Sequence, residues 1–200
     1  MAHLPLTLVY RQKFIQDQLN ESAETKKKMF EACTGDILKA VDVLINAFNK
    51  KKKVLICGNG GSAADAQHIA TELVIRMTKP NRPALAAIAL TTDSSMLTAG
   101  GNDIGFENVF ARQVEALGSE GDVLIAISTS GKSENVNRAV TEARRRGMSV
   151  IGFLGKDGGS TKAMVDVPVV IPSNDTQRIQ EGHITVAHIL CGIIENEMFG

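Results

Sequence analysis

Apolar and polar positions along this chain follow two different rhythms, and the change falls near Val54. Over 8–19 and again over 28–48, apolar residues recur at intervals of three and four, as in Met29, Ala32, Cys33, Ile37, Ala40, Val41, Leu44, Ile45 and Phe48. That spacing predicts two amphipathic helices. The lysines of 50–53 suit the end of the second, because cations favour the carboxyl end of a helix dipole, and 26–28 reads as a solvated face. Beyond Val54, short β-branched runs alternate with helical stretches. Strands are predicted over 54–57, 84–90, 123–127, 149–154 and 167–171. Helices are predicted near 63–77, 94–99, 133–146 and 176–198, with a loop and short helix across 100–116. Five strands joined by helical crossovers require a parallel sheet covered on both faces. The expected fold is α/β: one domain over 1–200, with a three-layer, doubly wound, flavodoxin-like core of five parallel strands over 51–200. The helices of 1–50 have no crossover to make, which leaves them to cap the domain or to pack against a neighbour in an oligomer.

Two segments share one grammar about seventy residues apart. Val54-Leu55-Ile56-Cys57-Gly58-Asn59-Gly60-Gly61-Ser62 and Val123-Leu124-Ile125-Ala126-Ile127-Ser128-Thr129-Ser130-Gly131-Lys132-Ser133 each run from an apolar strand through a Gly/Ser/Thr turn into a helix. In a parallel sheet both turns emerge at the carboxyl edge, where helix amino termini offer free N–H groups and a positive dipole end. A phosphorylated small molecule fits such loops. Glycine at 60 and 61 lets backbone approach a ligand, although many Gly-Gly turns only make the chain corner. The spacing of Gly58, Gly60 and Gly61 does not make the G-x-G-x-x-G dinucleotide fingerprint, and no glycine stands five positions before Gly131 to make a Walker loop. In the second turn, the hydroxyls of Ser128, Thr129, Ser130 and Ser133 can surround a phosphate without a metal. Helix capping alone would account for Ser133.

Composition narrows the partners. With 22 basic and 22 acidic residues among 200, the chain has no basic field with which to hold a nucleic acid. The cysteines, Cys33, Cys57 and Cys191, are odd in number, far apart and set in apolar surroundings, which fits buried thiols of a reducing compartment rather than disulfides. No basic leader or apolar run of about 20 residues is present, so the expected location is the cytoplasm, away from membranes.

Titratable residues gather on two helices. His68 and Glu72 are four apart and share a face, with Asp65 one turn earlier. Gln180 and His188 are eight apart and nearly in line on the last helix, and His183 between them is assigned a structural place. Glu72 stands among Ala70, Leu73, Val74 and Met77, a setting that partly buries it, and a buried carboxylate needs a partner or a function.

Taken together, residues 54–72, the run Gly101-Asn102-Asp103-Ile104-Gly105-Phe106, the 128–133 loop, and Arg178-Ile179-Gln180-Glu181-Gly182-His183 through His188 resemble the sedoheptulose 7-phosphate (phosphoheptose) isomerases of the SIS domain superfamily. The resemblance spans nearly the whole chain. It implies that Asn59, Gly60, Gly61 and Ser62 contact substrate, with Asn102, Asp103 and Gln180. It further implies that Ser128, Thr129, Ser130 and Ser133 hold the phosphate, that Glu72 is the general base and that His188 is its acid partner. Some members carry zinc on side chains corresponding to His68, Glu72, Gln180 and His188, and members form homotetramers. Gln177 departs from the acidic residue some members have there, and Lys132 replaces a small polar one.

The implied reaction interconverts sedoheptulose 7-phosphate and D-glycero-D-manno-heptose 7-phosphate through an enediol, supplying heptose for lipopolysaccharide precursors. Two competitors share the fold: an initiator-associating SIS protein that binds protein as a tetramer in replication control, and a sugar-phosphate sensor. Both lack a use for an acid–base pair at Glu72 and His188.

Overall fold

The computed structural model describes residues 7–200 and contains five strands and six α-helices. They run α1 (Leu8–Asn49), β1 (Val54–Gly58), α2 (Gly61–Val74), β2 (Ala87–Ala89), α3 (Ser94–Asp103), α4 (Val109–Leu117), β3 (Val123–Ser128), α5 (Glu134–Arg145), β4 (Ser149–Gly155), β5 (Val167–Ile171) and α6 (Thr176–Phe199). Single 3-10 turns lie at Phe106–Asn108 and Ser160–Met164. The strands form one parallel sheet in the order β2-β1-β3-β4-β5, the doubly wound order expected. β1, β3 and nearly all of β4 are buried on both faces, which explains why they read as continuous apolar runs rather than alternating ones. One apolar layer packs α1, α2 and α6 on the sheet, and a second packs α4 and α5 on the opposite face.

Two expectations need correction. The two leading helices are a single helix of 42 residues, Leu8–Asn49. The stretch between the predicted pair, Asn20 to Lys27, lacks an apolar stripe but contains Glu, Ala and Lys with no proline, so helix propensity carries the backbone across it. The predicted strand over 84–90 shrinks to Ala87–Ala89 at the sheet edge. Leu85 is drawn off the ladder, its N–H donating instead to the Leu73 carbonyl at the end of α2. The remaining strands and helices agree with the expected ones within about four residues, the largest gap being the end of α3 at Asp103.

Strand order decides where a ligand can sit. The chain goes from β1 outward to β2 on one side and from β3 outward to β4 and β5 on the other, so a crevice opens above the carboxyl ends of β1 and β3. The glycine turn follows β1 and the hydroxyl loop follows β3. The two motifs of the sequence therefore flank one crevice.

Candidate active site

Neither N-cap residue, Gly60 of α2 or Ser133 of α5, supplies a capping side-chain bond. Gly60 precedes α2 with φ +56° and ψ −119°, a backbone that side chains rarely adopt. Ser133 stands at the N-cap of α5, but its hydroxyl makes no capping bond and instead lies 3.1 Å from that of Ser128. The expectation that capping would account for Ser133 is therefore not met. Ser128 is buried, while Thr129, Ser130 and Ser133 are half-buried. Gly131 turns the loop at φ +60°, and its carbonyl is gripped from behind by the Thr161 N–H, the Thr161 hydroxyl and the Ser160 hydroxyl at 3.0, 2.8 and 3.2 Å. A Cβ at Gly131 would collide with the backbone of Gly158, so this bracing demands glycine.

The loops are also tied to each other. Asn59 and Asn135 exchange side-chain amide hydrogen bonds of 2.9 and 2.8 Å across the crevice. Asn135, nearly fully buried in the first turn of α5, also caps the Val136 N–H at 3.0 Å. No spacing marks Asn135 in the sequence, because its partner is 76 residues away.

A third element closes the site. α6 passes over the glycine turn closely enough that a Cβ on Gly61 would strike the Gln180 amide. Two turns further along α6, His188 meets α2. His188 Nε2 lies 3.2 Å from His68 Nε2, which lies 3.1 Å from Glu72 Oε1. One Nε2 carries at most one proton and cannot donate to both neighbours, so a proton or cation shared among the three groups satisfies them best. Their ligand atoms all fall within 4.8 Å of one another. Donors around a tetrahedral ion with bonds of about 2.0–2.1 Å are about 3.3 Å apart, so a His/Glu/His set at these distances fits a metal. Glu72 is mostly shielded and His68 is open to solvent, with side-chain exposures of 19% and 44%, so the cluster is not sealed from solvent.

Two further titratable residues stand on the same helices as the cluster. Asp65, one turn before His68, has its carboxyl pushed up by burial, partly opposed by the nearby His68, and its Oδ2 finds no partner among the described atoms. His183, five residues before His188, faces about 140° away around the helix. It is 1% exposed, and its Nε2 donates to the Leu154 carbonyl at the end of β4 over 2.9 Å. Burial, only partly offset by that bond, lowers its pKa to about 4, so it stays neutral and structural as expected.

The structure thus brings together His68, Glu72 and His188, sets Gln180 on Gly61, and joins Asn59 to the hydroxyl-loop side. Asn102 and Asp103 make no hydrogen bond to these groups among the described residues: both are exposed on the last turn of α3, bonded to each other at 2.7 Å. All three cysteines are free and buried, as expected. Among the described residues no helix is long and apolar enough to cross a membrane.

Comparison with known proteins agrees with this architecture. Residues 18–155 match the family model described as SIS domain, and the chain belongs to that family. The phosphoheptose isomerase of Trichlorobacter lovleyi is 54% identical over 189 residues, covering 94% of this chain and 96% of that one. The solved structure of phosphoheptose isomerase GmhA from Neisseria gonorrhoeae superposes with a TM-score of 0.87 at 44% identity, covering 92% and 98% of the two chains. That of a phosphoheptose isomerase from Francisella tularensis gives 0.90 at 39%, covering 93% and 98%. Within the SIS family the chain is an isomerase of the phosphoheptose isomerase group, and the protein-binding alternative is not favoured.

Proposed function

We propose that this isomerase interconverts sedoheptulose 7-phosphate and D-glycero-D-manno-heptose 7-phosphate, in the supply of heptose for lipopolysaccharide precursors. The convergence of Glu72 with two imidazoles, in a chain whose β3 also ends in a four-hydroxyl loop, carries the reading. Ser128, Thr129, Ser130 and Ser133 hold the phosphate with neutral donors, aided by the amino terminus of α5. Asn59, Gly60, Gly61 and Ser62 receive the sugar chain against Gln180, with Asn102 and Asp103 as further substrate contacts.

With the phosphate fixed, carbons one and two lie over Glu72. Its carboxylate takes the proton from carbon one of the ketose while His188 gives a proton to the carbonyl oxygen on carbon two, producing the enediol. His188 then accepts the proton of the carbon-one hydroxyl as Glu72, whose carboxyl proton exchanges with solvent, gives a proton to carbon two, and the aldose results. Each group ends in the protonation state in which it began. Of the expected zinc ligands His68, Glu72, Gln180 and His188, the two histidines and Glu72 would hold the ion, which when bound polarises the two substrate oxygens, while Gln180, two turns before His188 on α6, lies against Gly61 instead. The His/Glu/His spacing supports that assignment.

The same reading makes the protein a homotetramer of the cytoplasm. Apolar side chains on the outer half of α1 support self-association: Leu8, Val9, Phe14, Ile15 and Leu19 are all more than half exposed. Steady-state turnover of sedoheptulose 7-phosphate tests the chemistry. Glu72→Gln is expected to keep KM near the wild-type value and to lower kcat by about 100-fold or more. Unchanged turnover would remove Glu72 as the base.

A further inference from the structure

A buried ion pair outside the cluster ties its two helices together. Arg82 lies in the segment between α2 and β2, and Glu195 lies near the end of α6; their side chains are 3% and 2% exposed. Arg82 Nε donates to Glu195 Oε1 at 2.7 Å, and Nη2 of the same guanidinium donates to the backbone carbonyl of Glu72 at 2.6 Å. Nη1 donates to the Pro83 carbonyl at 2.8 Å, and the plane lies 5.8 Å from the Phe199 ring centroid. Glu195 also accepts from the N–H groups of Met77, Thr78 and Lys79 at 2.9, 2.8 and 2.9 Å and from the Thr78 hydroxyl at 2.8 Å.

We infer that Arg82 is a positioning residue: its rigid fork, locked by Glu195, fixes the Glu72 end of α2 against the helix that carries His188, and so sets the spacing of the acid–base pair. This rests on Glu72 and His188 being that pair. Glu195 follows His188 by seven residues, two turns of one helix or about 10.5 Å along its axis, so anchoring Glu195 anchors His188. Stability alone does not call for such a pair, since apolar residues of similar volume often serve a core as well as buried ions do. What a guanidinium adds is two bonds in fixed relative directions. A lysine ammonium keeps the charge opposite Glu195 but lacks a planar fork that reaches the Glu72 carbonyl at the same time.

Kinetics of wild type, Arg82→Lys, Glu195→Gln, Glu72→Gln and Val140→Ala on sedoheptulose 7-phosphate, each taken well below its melting temperature, test the inference. Arg82→Lys and Glu195→Gln are expected to lower kcat about 10- to 100-fold, the scale of an ångström of misplacement. KM should stay within about threefold, because the hydroxyl loop on β3 and α5 is untouched. Val140→Ala removes two methyl groups from the core on the opposite face of the sheet and controls for lost stability, with kcat unchanged. Arg82→Lys and Glu195→Gln with kcat within twofold of wild type, beside an inactive Glu72→Gln, would overturn the positioning role alone. An active Glu72→Gln would overturn the reading beneath it.

Discussion

Acidification should weaken the fold through one imidazole, and its contribution follows from the structure. His183 is sealed between α6 and the end of β4, with a single bond to the Leu154 carbonyl and no partner for Nδ1. Its pKa falls from 6.5 to about 4 on folding, chiefly through burial. The native ring therefore stays neutral while the unfolded chain takes up a proton, so unfolding binds a proton across this window. Stability is complete above about pH 6.5 and declines as pH falls toward 4. The difference corresponds to about 3 kcal/mol. Urea unfolding followed by far-UV circular dichroism between pH 7 and 4, at one protein concentration, measures it; the fixed concentration matters because self-association couples to unfolding. His183→Leu fills the same space without titrating. It should cost about 1–3 kcal/mol at pH 7 for the stranded Leu154 carbonyl, yet flatten the pH dependence. Parallel curves for wild type and variant would refute the assignment.

Three other outcomes follow from the same geometry. Burial pushes the Glu195 carboxyl up, but bonds from Arg82, Met77 and Thr78 outweigh it and hold the group well below its ordinary 4.5, so its contribution to stability is present above that pH and lost as pH drops below it. Glu195→Gln should flatten unfolding curves below about pH 4.5, a window distinct from that of His183. Gly61→Ala should displace the Gln180 amide and raise KM about tenfold with little change in melting temperature, since the collision is with the free end of a flexible side chain. Asn135→Leu should strand the Asn59 amide and cost about 1–3 kcal/mol in urea unfolding while also raising KM.

Local chemistry made most of the fold legible. The β-branched runs at 54–57 and 123–127 announce buried parallel strands, and the Gly- and Ser-rich turns after them mark the switch-point crevice. His68 and Glu72 follow from helical spacing, and their meeting with His188 across 120 residues needs the family resemblance as well as the pattern. The two-helix reading of 8–48 failed because apolar periodicity reports which face is buried, while continuity depends on backbone propensity through Asn20 to Lys27. Asn135, Arg82 and Glu195 left no signal, since each takes its meaning from partners 76 or 113 residues away or from a backbone carbonyl that has no letter in the sequence. His183 and His188 look alike as letters; their angular separation around α6 is what divides a core imidazole from one facing His68 on α2.

Hydrogen exchange at the substrate carbons bears most directly on the central claim, that Glu72 moves a carbon-bound proton within the cluster it forms with His68 and His188. Sedoheptulose 7-phosphate incubated with the protein in deuterium oxide and followed by NMR should gain deuterium at carbons one and two. That gain should vanish in Glu72→Gln, with binding retained. Isomerisation without exchange in the wild type, or exchange that persists undiminished in Glu72→Gln, would contradict it.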